Sequence, residues 1–153
     1  SDLSGRDFME CKFKNCDLSS CKLGETSLKT VEFENCKLLG LNFEDCNRFL
    51  LKLSFETCQL NFSTFYKMNL KGISFKDCNL YEVDFSESIL INSKFVGCDL
   101  QLAIFDRTNL EKADLYSAKN FVINPGENRI KGAIFSKENV TGLLTVFGVK
   151  IKE

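Results

Sequence analysis

Leu or Phe recurs at every fifth position from the start of the chain: Leu3, Phe8, Phe13, Leu18, Leu23, Leu28, Phe33, Leu38 and Phe43. The next step falls on Arg48 and the frame breaks. It resumes two residues later with Leu50, Phe55, Leu60, Phe65, Leu70, Phe75, Leu80, Phe85, Leu90, Phe95, Leu100, Phe105, Leu110 and Leu115. One two-residue insertion near Asn47-Arg48 accounts for the shift. A strict period of five is neither the 3.6-residue period of an amphipathic helix nor the two-residue alternation of a half-buried strand. Self-similarity at a fixed period is the mark of an architecture in which each unit buries its apolar face against the next.

The small residues keep the same register. Every cysteine lies two positions before a central position, Cys46 in the frame that precedes the insertion: Cys11, Cys16, Cys21, Cys36, Cys46, Cys58, Cys78 and Cys98. Other residues in that slot include Val31, Ser63, Val83, Ser88, Ala103, Ala113 and Ala118. Segments such as CDL (Cys98–Leu100), ADL (Ala113–Leu115), CNL (Cys78–Leu80) and VDF (Val83–Phe85) resemble the repeat of the pentapeptide-repeat family, roughly A(D/N)LxX. The resemblance runs almost without a gap over residues 1–118. It implies an all-β fold, a right-handed quadrilateral β-helix (a solenoid) with one repeat per side.

Four repeats per coil require a second period, and the sequence has it once the insertion is counted. Phe13, Phe33, Phe55, Phe75 and Phe95 fall on one side, and Leu23, Phe43, Phe65, Phe85 and Phe105 on another. The remaining sides carry Leu18, Leu38, Leu60, Leu80 and Leu100, and Phe8, Leu28, Leu50, Leu70, Leu90 and Leu110. Coils spaced as paired strands are, about 4.8 Å apart, make close to six turns a rod on the order of 30 Å long.

Composition narrows the chemistry. The chain has no His, no Trp and one Pro, but 15 Phe and 8 Cys. Without His it lacks the side chain best suited to proton transfer near neutral pH and the commonest metal ligand. Cys16, Cys36, Cys58, Cys78 and Cys98 form one inward column. Parallel side chains at the coil spacing hold their Cβ atoms wider than a disulfide prefers. No CxxC pair suggests zinc, so the thiols read as small buried hydrophobes. Eight unpaired thiols suit a reducing cytoplasm. A solenoid filled with side chains leaves no concave pocket for a small-molecule substrate. We therefore expect no enzymatic activity, no cofactor and no metal.

Net charge is −1, from 20 basic and 21 acidic residues. No segment is basic enough to bind nucleic acid directly, none of 18 apolar residues suggests a membrane span, and no signal peptide is evident. The most acidic stretch is 77–114, where Asp77, Glu82, Asp84, Glu87, Asp99, Asp106, Glu111 and Asp114 face only Lys94, Arg107 and Lys112. These acids are the candidate partner-facing surface. Lys67, Glu87 and Arg107 fall on one outer corner of three successive coils, where ion pairing would be modest.

The β-helix is expected over residues 1–135, with an irregular loop at 119–129 around the turn signal Asn124-Pro125-Gly126. A different pattern begins at 136. Val140, Leu143, Leu144 and Phe147 lie at i, i+3, i+4 and i+7, one face of a short α-helix, with Ser136 as N-cap and Gly148 as the stop. Val149-Lys150-Ile151-Lys152 alternates like a short strand. Residues 136–153 are thus expected to cap the coil stack and to form a homodimer through Val140, Leu143, Leu144, Phe147, Val149 and Ile151. The tail also resembles the gyrase-protecting branch of the family, the quinolone-resistance proteins of the Qnr type and the microcin immunity protein. That resemblance implies a twofold dimer through the C-terminal segment, and a rod that imitates duplex DNA to engage DNA gyrase or topoisomerase IV. Two features depart from it: the chain has no long projecting loop, and residues 1–118 carry a net charge of only −4. A duplex of about 30 Å carries on the order of 18 negative charges. The alternative is a scaffold for another protein partner.

Overall fold

A repeat of five residues closes a coil only if the backbone turns sharply once per repeat. In the computed structural model, which describes residues 1–153, it does so two residues after nearly every central Leu or Phe, Asp45 after Phe43 and Ser117 after Leu115 being exceptions. There the chain enters the left-handed region, for example at Glu10, Asn35, Lys67, Glu87 and Lys112, with φ between 50° and 58°. Non-glycine residues rarely sit there, at a cost of roughly 1–2 kcal/mol each. They are held in place because the residues on either side are committed to the core. Four such corners make one turn of a right-handed β-helix.

The sides between corners are short parallel strands: β1 (Asp7–Met9), β2 (Lys12–Lys14), β3 (Ser27–Lys29), β4 (Val31–Glu34), β5 (Leu53–Glu56), β6 (Ser74–Lys76) and β7 (Lys94–Val96). Strands β2, β4, β5, β6 and β7 form one ladder in which Phe13, Phe33, Phe55, Phe75 and Phe95 are in register. Single bridges continue it through Asp114 to Ile134. The second side runs Asp17, Lys37, Gln59, Asn79, Asp99, Lys119; the third runs Asn42, Thr64, Asp84, Ile104. These are the rows expected from the double period.

Two phenylalanine columns fill the centre. Phe13, Phe33, Phe55, Phe75 and Phe95 stack nearly parallel at 5.1–5.3 Å. Phe43, Phe65, Phe85 and Phe105 do the same at 4.6–5.5 Å. The columns meet edge to face, with centroids 5.7–5.8 Å apart between Phe43 and Phe55, Phe65 and Phe75, and Phe75 and Phe85. Offset and T-shaped pairs are the favoured arrangements of aromatic quadrupoles. The Leu rows flank them, with Leu38, Leu60, Leu80 and Leu100 fully buried.

On the fourth side the structure departs from the expected row. Leu50 is not an inward residue: it occupies a corner at φ 54° and is 66% exposed. Leu51, half-buried, packs against the core instead. The insertion turns Arg48, Phe49 and Leu50 outward, and two adjacent leucines allowed either to be the inward one. The ladder Asp7–Ser27–Asn47 stops here and restarts only at Asn69–Ile89–Asn109–Arg129.

The tail is helical but not an α-helix. It forms two 3-10 turns, Val140–Leu143 and Thr145–Phe147. Its bonds span three residues, as in Gly142 N to Asn139 O, Leu144 N to Thr141 O and Phe147 N to Leu144 O. Gly142 and the β-branched Val140, Thr141, Thr145 and Val146 disfavour a regular helix of so few residues. Gly148 ends it in the left-handed conformation, φ 66°. Residues 149–153 form no strand, since nothing in the single chain pairs with them.

Candidate functional site: the tail and the rod surface

The tail begins with a reciprocal pair: Asn139 N donates to Ser136 Oγ at 3.0 Å, and Ser136 N donates to Asn139 Oδ1 at 2.8 Å. This places Asn139 over the last regular coil. Its Nδ2 donates to the carbonyls of Leu115 (2.7 Å) and Ala118 (2.8 Å), which no further coil covers. One asparagine thus satisfies backbone acceptors that a solenoid end leaves open. Gly142 is buried against Phe121 and accepts a hydrogen bond from Ile123 N, while Leu143 packs on the core. Below, Asn128 replaces a missing backbone rung: its Oδ1 accepts from Thr108 N, and its Nδ2 donates to Phe105 O.

Capping therefore uses Asn139, Gly142 and Leu143. The other apolar tail residues are left outside: Val140, Leu144, Phe147, Val149 and Ile151 are all exposed, Phe147 by 61%. Exposed Val146, off the helical face read from the sequence, joins them. Between the tail and Leu102–Phe105 lies a groove of about 1060 Å³ whose charged lining is limited to Lys119 and Glu138.

The eight candidate acids do not gather on one strip. Asp114 lies on the first side, Asp99 on the second and Asp84 on the third. Asp77, Glu82 and Glu87 occupy three different corners. Most also have local work. Asp84, Asp99 and Asp114 each accept the backbone N–H two residues on, at 2.8–3.0 Å, the turn-forming role that suits aspartate. Glu87 accepts from the Tyr66 hydroxyl at 2.8 Å, which holds its carboxyl below the usual range, and lies 3.8 Å from Arg107. Asp106 lies 3.5 Å from Arg107, and Glu111 lies 3.9 Å from Arg129. Lys67, on the same corner as Glu87 and Arg107, rests on the Tyr66 ring.

All eight cysteines are free thiols, and only Cys11 and Cys16 are not fully buried. Cys36 and Cys58 reach the carbonyls of Phe13 and Phe33 at 3.3–3.4 Å. Burial pushes Cys46 up to about 12. Contact with Cys58 lowers Cys78, but contact with Cys98 and burial outweigh it and push Cys78 up to about 12. Neutral, desolvated thiols of this kind are poor nucleophiles and poor metal ligands. No group of three or more Cys, Asp or Glu is arranged to hold a metal ion.

A square coil with stacked inward rings and a capped end defines a β-solenoid. Its sequence matches the pentapeptide repeat region over residues 6–85 and pentapeptide repeats (8 copies) over residues 90–119. The chain belongs to the pentapeptide-repeat family. No curated protein matches it significantly in sequence. Among solved structures it is similar to trypsin-treated QnrB1, a plasmid-mediated fluoroquinolone resistance protein. One form has a TM-score of 0.57 at 18% identity, over 99% of this chain and 85% of that one. A second gives 0.55 at 19%, over 99% and 83%. It is also similar to HetL, a pentapeptide repeat protein involved in heterocyst differentiation regulation in the cyanobacterium Nostoc sp. Strain PCC 7120. That match has a TM-score of 0.53 at 14% identity, over 88% and 87%. At these identities the likeness is one of fold. No helix is long and apolar enough to cross a membrane.

Proposed function

We propose that this chain is a non-enzymatic, dimeric rod that binds DNA gyrase or topoisomerase IV in place of DNA and protects it from inhibitors such as quinolones. The observation that carries this reading is the extent of the likeness to QnrB1. It takes in 99% of the chain and so includes the tail. Exposed Val140, Leu144, Phe147, Val149 and Ile151 support self-association there, because contiguous apolar surface marks an interaction site. Eight free thiols fit a reducing compartment such as the cytoplasm. The test is a supercoiling assay with purified gyrase and a quinolone. Restored supercoiling is the expected result, and no protection and no inhibition at micromolar protein would overturn the reading.

A second reading is favoured by the acids. They ring the rod, and most are engaged in turns or ion pairs, so no side has the dense uniform charge of a phosphate backbone. On this reading the rod is a scaffold for a different protein partner and leaves gyrase unaffected. A silent supercoiling assay, together with a partner retained from the host lysate by the immobilised dimer, would select it.

A further inference from the structure

The break in the fourth ladder leaves a notch. On the coils above it, Ile89 N and Asn109 N donate to Met68 O and Ser88 O at 2.9 and 3.0 Å. Asn69 is the next residue down the same row, and no bridge joins it to the coil below. Its main-chain N–H has no acceptor. Part of the missing rung is replaced by a side chain: Arg48 Nη1 donates to Lys67 O at 2.6 Å and Nη2 to Glu44 O at 3.0 Å. This holds the guanidinium across the gap without neutralising it. Beneath the bulge lies a cleft of about 260 Å³ lined by Arg48, Leu51, Asn69 and Lys71. It continues into one of about 360 Å³ lined by Lys52, Asn69 and Lys71. Arg48, Lys52 and Lys71 form no ion pair with any carboxylate. The two residues on the near side of the notch, Ser27 and Asn47, and the three above it, Asn69, Ile89 and Asn109, are uncharged; the one acid of this row, Asp7, lies at its far end.

Three unpaired cations around a backbone N–H that lacks an acceptor attract a group with negative oxygens. We infer that this notch binds a carboxylate or phosphate, which accepts from Asn69 N–H and is flanked by Arg48, Lys52 and Lys71. Charged acceptors make the shorter and stronger hydrogen bonds. The orphan N–H gives the site a direction that scattered surface lysines lack. The notch is far along the chain from the tail, so this inference does not depend on the partner proposed above.

The test uses the full chain labelled with ¹⁵N, titrated at constant ionic strength with inorganic phosphate and, separately, with a hexapeptide of glutamates. The expected result is a saturable shift of the Asn69 amide, weakened about tenfold, or about 1.4 kcal/mol, in the Lys52→Gln, Lys71→Gln double variant. Both lysines are exposed, so the variant should keep the parent circular dichroism spectrum. A shift with phosphate alone assigns a free anion, and a shift with the peptide alone assigns an acidic protein segment; a shift with both assigns their shared chemistry. No saturable shift with either probe, or equal affinity in the double variant, overturns the inference.

Discussion

Gly142 lies directly against Phe121, so that a Cβ at position 142 would fall within 2.6 Å of the Phe121 ring and closer still to its carbonyl oxygen. The contact joins the tail to the irregular coil at 119–129, and the Gly142 carbonyl accepts from Ile123 N at 3.0 Å. We predict that Gly142→Ala pushes the cap off the coil end. Such overpacking costs about 1–3 kcal/mol, roughly 2–4 °C in Tm per kcal/mol for a chain of this size. Trypsin should then cut faster at Lys137. Gly148→Ala has open space around it and should cost only the left-handed strain, about 1–2 kcal/mol, without freeing the cap. Equal effects of the two substitutions would show that the cap does not rest on this contact.

The phenylalanine columns should lose stability unequally along the rod. Phe75 is fully buried, stacked on Phe55 at 5.2 Å and Phe95 at 5.3 Å, with edge contacts to Phe65 and Phe85. Phe75→Ala should cost about 3–5 kcal/mol, since its neighbours are fixed by their own stacks and cannot collapse into the space. Phe13, half-buried in the first coil, stacks only on Phe33 and meets Phe8 edge-on. Phe13→Ala should cost about half as much. Urea unfolding of both variants measures the difference. Equal losses would mean that the coils do not differ in packing.

The period of five was legible because one inward residue per side repeats with the backbone geometry itself, and the row Phe13, Phe33, Phe55, Phe75, Phe95 needed only the insertion count. The insertion's register was not legible. Leu50 and Leu51 are equally apolar, and the choice between them is made by which position takes the left-handed corner. The tail's helix type was hidden for a similar reason. The spacing of Val140, Leu143, Leu144 and Phe147 fits an α-helix, but Gly142 is drawn against Phe121 and bonds three residues apart prevail. Nor could sequence position alone reveal that Asp84, Asp99 and Asp114 close turns, because any acid in the outward slot reads as surface charge.

Thiol chemistry should separate the first coil from the rest. Cys11 and Cys16 are partly accessible, and the other six cysteines are buried. A thiol reagent should label Cys11 and Cys16 in the native protein and all eight in urea, as read by mass spectrometry. Labelling of Cys78 at the rate of Cys11 would contradict the burial. The pH dependence follows from the raised values. Cys46 and Cys78 ionise near 12 in the fold against an ordinary 9.0. Between those limits the folded chain holds protons that the unfolded chain releases, so the contribution of these thiols is intact below about 9 and is lost as pH rises toward 12. The urea midpoint should fall over that range, and by less in the Cys46→Ala, Cys78→Ala double variant compared with its own value at pH 8. An unchanged fall would assign it to other groups.

The tail makes the most direct prediction about assembly. Leu143 and Gly142 are used up in capping, whereas Phe147 is 61% exposed, Ile151 55% and Val149 54%. A cap needs only the face that meets the coil, so these side chains have no role within one chain. Burying a large aliphatic or aromatic side chain contributes about 1.5–3 kcal/mol, and a twofold contact uses each of them twice. Phe147→Asp places a charge at the centre of that surface without touching Gly142 or Asn139. It should convert a dimer into a monomer in light scattering while leaving the Tm of the coil nearly unchanged. Phe147→Leu, which keeps an apolar side chain, should remain dimeric. A wild-type monomer, or a dimer that survives Phe147→Asp intact, would remove the tail as the interface and leave its apolar residues for a different protein partner.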